Sequence, residues 1–213
     1  MRINFLFGAG ISLPAGLPNT KGITQKVLEG ERLYLHTDSN FYFRELELNH
    51  EEDQNVEVIR QYLLCLGEYW EKYYTDMPPR EITYEDLYYL ALQVHQSLIR
   101  DFDNPALFPL ERELIPKMEK ILQPLAGSIR DWDYKELARF AMEYMHDVVY
   151  LALLEKASDP SYLEFLKDTI SDSAVEAVDI FTLNHDKLIE DYLASQKIKF
   201  ADGFGAEVER MRW

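Results

Sequence analysis

The chain has 213 residues, of which 47% are hydrophobic and 13% aromatic, so it is long enough to bury a sizeable core and too apolar to be disordered. Its 38 acidic and 22 basic residues give a net charge of −16 at pH 7. This charge repels a phosphate backbone, so direct binding to nucleic acid is not expected.

Cys65 is the only cysteine, which excludes internal disulfides and four-cysteine zinc sites and fits a reducing compartment. The first residues do not show the basic and then apolar pattern of a secretory signal. No apolar run approaches the length of about 18 residues that indicates a membrane span. We therefore expect a cytoplasmic protein with no membrane partner.

The first predicted element is a short buried strand at residues 3–7, which runs into a loop over residues 8–18. The loop is rich in glycine and proline: Gly8, Gly10, Pro14, Gly16 and Pro18. A helix is predicted next, because Asn19 or Thr20 can cap its start, apolar residues recur at helical spacing and Gly30 can end it. Asn19 is equally suited to that cap or to a ligand pocket.

Helical periodicity then continues from about residue 50 to 157. Thr83, followed by Glu85 and Asp86, indicates the start of one of these helices, because acidic residues in a first turn favour the helix dipole. A shorter helix is predicted from Tyr162 to Ile170, with Ser161 as a candidate cap.

Strand character returns at residues 175–183, and a helix is predicted from Asp186 to Ser195. A further strand is predicted at Lys197–Ala201, ending at Asp202. The predicted fold class is therefore α/β, with a Rossmann-like parallel sheet interrupted by a large helical insertion. Residues 1–32 and 175–213 are expected to form the Rossmann-like part and residues 33–174 the insertion.

Polar or glycine residues stand where two of these strands end. Ligands bind at the carboxyl ends of strands in open parallel sheets, so the two ends together predict a nucleotide pocket. Glycines allow a tight turn and close approach to a phosphate. The dinucleotide fingerprint is incomplete, however, because Leu13 replaces its third glycine. Gly8 and Gly10 alone therefore fit an ordinary tight turn equally well.

Two motifs, taken together, resemble the Sir2 family. Gly8-Ala9-Gly10-Ile11-Ser12 followed by Gly16-Leu17-Pro18 resembles its first motif, and Thr182-Leu183-Asn184-His185-Asp186 resembles its threonine-x-asparagine-x-aspartate motif. The family binds NAD and either removes acyl groups from lysine or hydrolyses NAD to nicotinamide and ADP-ribose. The resemblance implies that Asn184 holds the nicotinamide ribose or the attacking water and that Asp186 supports the site. It places Gly8, Ala9, Gly10 and Ser12 around the phosphates. Further candidates for cofactor binding are Pro18, Asn19, Thr182 and Asp202, although Asp202 equally fits a turn.

The single cysteine departs from the family deacylases, which carry a structural zinc on four cysteines. The resemblance therefore points to the zinc-free Sir2-like NAD hydrolases, many of which are bacterial anti-phage effectors with a large helical insertion. It implies NAD as substrate, no metal, and assembly as a homo-oligomer or with another protein of a defence system.

The histidine that the family uses for catalysis lies in a His-Gly pair, and this sequence has no such pair. We expect the chain to end before that motif. His185, between Asn184 and Asp186, is the candidate replacement for that histidine as catalytic base. If the segment is extended, however, neighbouring side chains point to opposite faces, so His185 is expected to face away from Asn184. A partly buried structural histidine is the favoured interpretation.

Four functions remain open at this point. The first is NAD hydrolysis, and the second is a non-catalytic module that binds NAD or ADP-ribose as a sensor or in assembly. The third is a lysine deacylase of unusual architecture. The fourth is a generic α/β domain whose glycine loop is only a turn.

Overall fold

The computed structural model describes residues 1–30, 33–43, 54–73, 80–100, 104–126 and 132–201. The strands and α-helices, in chain order, are β1 (Arg2–Phe7), α1 (Thr20–Glu29), β2 (Leu33–Leu35), β3 (Phe41–Phe43), α2 (Gln54–Tyr73), α3 (Tyr84–Leu98), α4 (Phe108–Leu122), α5 (Tyr134–Leu153), α6 (Glu164–Ser171), β4 (Ala177–Thr182) and α7 (Leu188–Ser195). The protein is thus a mixed α/β protein, and no described helix is long and apolar enough to cross a membrane.

The chain divides into two compact units, which we call the α/β unit and the helical unit. The α/β unit comprises Met1–Leu17 and Leu153–Trp213, and the helical unit comprises Pro18–Ala152. Segments from the two ends of the chain thus lie in one unit, whereas the division predicted from the sequence is residues 1–32 with 175–213 and residues 33–174. Helix α1 belongs to the helical unit, and α6 belongs to the α/β unit.

The α/β unit is built on a two-stranded parallel sheet, with Arg2 opposite Ala177 and Phe7 opposite Thr182. Both predicted strands are therefore confirmed, and both end at the same edge of the sheet. Side chains alternate between the two faces. On one face Phe5, Phe7 and Ile180 pack against the buried side chains of Leu163, Leu166, Leu188, Ile189, Tyr192 and Leu193. On the other face Leu6 is 80% exposed.

Two predictions at the C-terminal side of this unit are wrong. Residues 197–201 form no strand: Lys197 has a left-handed φ of 59°, and the N–H of Ile198 bonds back to the Leu193 carbonyl at 3.0 Å, which closes the end of α7. A strand also needs a hydrogen-bonding partner, which local periodicity does not supply. Ser161 does not cap α6, because it lies in a 3-10 turn (Ser161–Leu163) that precedes Glu164.

Helix α1 begins and ends as the sequence predicts. The Asn19 side chain accepts a 2.8 Å hydrogen bond from the Gly22 N–H, and Gly30 ends the helix with a left-handed φ of 61°. The last carbonyls of α1 are held by the helical unit. Tyr144 of α5 donates to the Val27 carbonyl at 2.7 Å, and Arg60 of α2 donates to the Leu28 carbonyl at 2.8 Å. These bonds explain why α1 belongs to the helical unit.

The remainder of the helical unit contains the predicted helix start at Thr83 and a β-hairpin that was not predicted. Thr83 and Asp86 form a reciprocal capping box at the start of α3. Strands β2 and β3 pair antiparallel, with Leu33 opposite Phe43. Each has three residues, which is too short for an alternating pattern to predict.

Candidate functional site

The glycine loop follows β1 directly at the carboxyl edge of the sheet. A 3-10 turn forms at Ala9–Ile11, in which the Ile11 N–H donates to the Gly8 carbonyl at 3.0 Å and the Ser12 N–H donates to the Ala9 carbonyl at 3.2 Å. Gly8, Ala9 and Gly10 are exposed, whereas Ser12 is only 5% exposed. The helix expected after this loop, α1, begins only at Thr20 and belongs to the helical unit.

Neither Gly8 nor Gly10 is required by the turn itself. Neither has a positive φ, and a Cβ placed on either would meet no atom within 4 Å. Any residue could therefore take these backbone conformations without internal conflict. Gly16 is different, because its φ is +79° and a Cβ there would lie 2.7 Å from the Ser158 hydroxyl oxygen. The backbone of the loop thus requires glycine at position 16. Gly8 and Gly10 are not required by the backbone, and no other described residue covers the surface beside them, which is therefore open.

Three of the predicted site residues form one hydrogen-bonded chain. The Asn184 side-chain amide donates to the Ser12 hydroxyl oxygen at 3.0 Å, and the Ser12 hydroxyl donates to a carboxylate oxygen of Asp186 at 2.6 Å. The same Asn184 amide nitrogen also donates to the Gly8 carbonyl at 3.2 Å. The glycine loop and the end of β4 are therefore joined through side chains.

The chemistry of the partners determines which way the Asn184 amide faces. The Gly8 carbonyl only accepts hydrogen bonds, and Ser12 uses its single hydrogen on the carboxylate, so both partners need the NH₂ group of Asn184. The amide oxygen Oδ1 accordingly points away from them, and among the described residues it accepts no hydrogen bond. This oxygen is the acceptor that the site offers to a ligand hydroxyl or to water.

Asp186 also orders the start of α7. Its second carboxylate oxygen accepts a 3.1 Å hydrogen bond from the Leu188 N–H, the first residue of that helix. Negative charge at a helix start is favoured by the helix dipole. One carboxylate thus ties the helix that follows β4 to the loop that follows β1.

The four remaining candidates for cofactor binding are Thr182, Pro18, Asn19 and Asp202. Thr182 ends β4, and its hydroxyl oxygen accepts a 3.0 Å hydrogen bond from the Asn184 N–H, which turns the chain toward the loop. Pro18 and Asn19 belong to the helical unit, where Asn19 acts as a helix cap. Asp202 lies outside the described residues.

His185 is exposed, so the expectation of a partly buried histidine is wrong. In the described part of the chain its side chain makes no hydrogen bond or ion pair, and it does not contribute to the Asn184–Ser12–Asp186 chain. It lies after the end of β4, between two residues whose side chains take part in that chain.

Two side chains that the sequence analysis did not select also hold the glycine loop. The Tyr162 hydroxyl donates to the Ile11 carbonyl. The backbone N–H and the hydroxyl of Ser158 both donate to the Ala15 carbonyl, each at 2.8 Å. Burial raises the pKa of Tyr162, and the charges of Asp186 and Asp159 raise it further. No local pattern indicates these contacts, because 151 residues separate Tyr162 from Ile11.

A cavity of about 490 Å³ lies along β4 and is also lined by α7 and residues 198–201. Of the predicted site residues it contains only Thr182, so it does not coincide with the Asn184–Ser12–Asp186 chain.

No group of three metal-ligating side chains occurs among residues that the structure describes. Comparison with protein-family models, with curated proteins and with solved structures finds no match to this chain.

Proposed function

We propose that the α/β unit binds NAD and hydrolyses it to nicotinamide and ADP-ribose. The observation that carries the proposal is the hydrogen-bonded chain from Asn184 through Ser12 to Asp186, beside the open surface of Gly8 and Gly10. The two parallel strands end at this point, which is where α/β sheets bind nucleotides. On this proposal the parallel sheet of the unit is of the Rossmann-like type.

The proposed reaction breaks the bond between C1′ of the ribose and the nicotinamide nitrogen, and the bonding electrons leave with nicotinamide. Water forms the new bond to C1′ and releases a proton. Positive charge develops on the sugar in the transition state, as in glycoside hydrolysis. The Asn184 Oδ1 can accept a hydrogen bond from a ribose hydroxyl or from the attacking water, which orients one of the reactants.

Asp186 contributes negative charge close to that amide. Its carboxylate is held by the Ser12 hydroxyl and the Leu188 N–H, so its position is set before a ligand binds. A preorganised negative charge stabilises a developing positive charge more effectively than mobile water does. Gly8 and Gly10 present backbone without side chains, which permits close approach of the pyrophosphate.

The experiment that tests this function is nicotinamide release from NAD, measured by chromatography for the native chain and for Asn184→Ala. The matched control is Asn4→Ala, because Asn4 is an exposed asparagine in β1 of the same sheet. We expect release to be lost in Asn184→Ala and kept in Asn4→Ala. Equal release from all three proteins would remove Asn184 from the reaction.

A second candidate is a module that binds NAD or ADP-ribose without chemistry. It is favoured by the absence of a histidine from the hydrogen-bonded cluster, as far as the described residues extend. Titration calorimetry with ADP-ribose separates the two candidates: binding without nicotinamide release supports the module, and binding with release supports the hydrolase. The resemblance to anti-phage effectors extends the first candidate to a role in defence, with assembly or a partner protein as the trigger.

A further inference from the structure

One short segment, which begins at Ser158 and ends at Tyr162, forms hydrogen bonds to the glycine loop. Tyr162 binds the carbonyl of Ile11, and Ser158 binds the carbonyl of Ala15 through two donors at 2.8 Å each. These two attachment points lie on either side of Ser12. The part of the loop that carries Ser12 is therefore fixed at both ends.

The Ile11 carbonyl belongs to the same peptide plane as the Ser12 N–H. Because a peptide group is planar, a hydrogen bond that holds this oxygen also sets the direction of the Ser12 backbone. The position of the Ser12 hydroxyl, in turn, sets the geometry of its hydrogen bonds to Asn184 and Asp186. Three links therefore connect Tyr162 to the Asn184 amide. They are the hydrogen bond to the Ile11 carbonyl, the Ile11–Ser12 peptide group and the hydrogen bond between Ser12 and Asn184.

Tyr162 is itself held in place by packing. Tyr162 packs against the apolar cluster of the α/β unit, and the next residue, Leu163, is fully buried. Tyr162 has few rotatable bonds, so holding its ring costs little conformational entropy. The contact with the loop is close elsewhere too, because Gly16 leaves no room for a Cβ beside Ser158.

We propose that Tyr162 is a positioning residue of the nucleotide site, which acts through the Ile11 carbonyl on Ser12. This inference rests on the proposed function, because it assigns to Tyr162 the orientation of the residues that would bind NAD. Tyr162 contacts the loop at the Ile11 carbonyl, so on this proposal it acts through Ser12 and not on the ligand.

The test compares Tyr162→Phe with Tyr192→Phe in the whole chain. Tyr192 is a second tyrosine of the same apolar cluster, 5% exposed, and its hydroxyl makes no hydrogen bond to the glycine loop in the described part of the protein. Three quantities are measured: the Kd for ADP-ribose, the KM and kcat for nicotinamide release, and the hydrogen exchange of the Ile11 and Ser12 amides.

In Tyr162→Phe we expect the Kd and KM to rise about 3- to 10-fold, the size of one lost hydrogen bond. We expect a smaller change in kcat, and faster amide exchange at Ile11 and Ser12 but not in α7. Tyr192→Phe should change none of the three. A merely structural role of Tyr162 would lower stability throughout the unit without raising KM selectively.

Three results would overturn the proposal: an unchanged Kd in Tyr162→Phe, unchanged exchange at Ser12, or equal effects in the two variants. Failure of the proposed function is a separate result, since the native chain would then bind neither NAD nor ADP-ribose. In that case the exchange data show whether Tyr162 holds the loop, but its role in a nucleotide site is refuted.

Discussion

The Ser12 hydroxyl donates a 2.6 Å hydrogen bond to the Asp186 carboxylate, although 174 residues separate the two in sequence. The parallel pairing of β1 with β4 brings them together, because it places Phe7 beside Thr182 and so aligns the chain segments that follow. This bond joins the glycine loop that follows β1 to the segment that follows β4. It is the contact on which the geometry of Asn184 and the start of α7 both depend.

Replacement of Ser12 by alanine should affect both stability and activity. The substitution removes the hydrogen bonds that Ser12 makes to Asn184 and Asp186, both half-buried. Asn184 keeps its bond to Gly8, and Asp186 keeps its bond from Leu188. A hydrogen bond contributes about 0.5–1.5 kcal/mol, and more where one partner is charged, so we expect the free energy of unfolding to fall by about 1–3 kcal/mol. Nicotinamide release should also be lost. Urea unfolding and the release assay measure the two effects.

The control for Ser12→Ala is Ser171→Ala, since Ser171 is an exposed serine of the same unit. It should change neither quantity. Native-like stability of Ser12→Ala would show that the hydrogen-bonded chain contributes nothing to the fold.

The glycines of the loop should respond to alanine in opposite ways. Gly8→Ala and Gly10→Ala meet no atom within 4 Å, so stability should stay within about 0.5 kcal/mol of the native value. NAD affinity should fall, because the new methyl groups occupy the open surface. Gly16→Ala should destabilise the protein by about 1–3 kcal/mol, because its φ is +79° and Ser158 blocks the Cβ.

Thermal unfolding and titration calorimetry on the three glycine variants test this contrast. If Gly8→Ala and Gly10→Ala bind ADP-ribose as well as the native chain does, the open surface is not a ligand surface, and the fourth function, a generic turn, gains support.

Removal of the His185 side chain should leave nicotinamide release within about twofold of the native rate. His185 is exposed and lies outside the hydrogen-bonded chain, so it has no fixed position from which to accept a proton. The assay compares His185→Ala with Asn184→Ala. A loss in His185→Ala as large as that in Asn184→Ala would identify His185 as the base instead.

The helix cap at Asp86 should make stability depend on pH in the acid range. Burial raises the pKa of Asp86, but hydrogen bonds from Thr83 and Arg80 outweigh burial and hold the pKa below its usual value near 3.8. A group with a lowered folded-state pKa stabilises the protein above its unfolded pKa and loses that contribution as the pH falls through the folded pKa. Asp86→Asn should therefore lower stability at pH 7.

The stability difference between Asp86→Asn and the native chain should shrink as the pH falls below about 4. Urea unfolding at a series of pH values measures this change. Glu85→Gln is the comparison, because it also removes a first-turn charge but leaves the capping box intact, and its effect should be smaller. A difference that stays constant down to pH 3 would contradict the assignment.

Several elements follow from local sequence alone. Asn19 and Gly30 delimit α1 because a polar cap and a left-handed glycine are local requirements of any helix end. Thr83 marks the start of α3 for the same reason. The two strands of the α/β unit were also predictable, since each is a short apolar run that ends at glycine or polar residues. Their polar ends predicted a pocket at that edge of the sheet, and the resemblance of the two motifs to a known family selected Ser12, Asn184 and Asp186 as candidates.

Other features depended on contacts between distant parts of the chain. Residues 197–201 have the composition of a strand but form none, because a strand exists only where a neighbour accepts its hydrogen bonds. Helix α1 belongs to the helical unit because Tyr144 and Arg60 bind its last carbonyls.

The sequence by itself therefore determined the helix ends, the two strands and the residue types of the candidate site, because these depend on neighbours in the chain. Only the tertiary structure decided the direction of the Asn184 amide and the contact of Tyr162 with the glycine loop. Both follow from hydrogen bonds to groups more than 150 residues away in the sequence, which only the folded arrangement around the parallel sheet brings within reach.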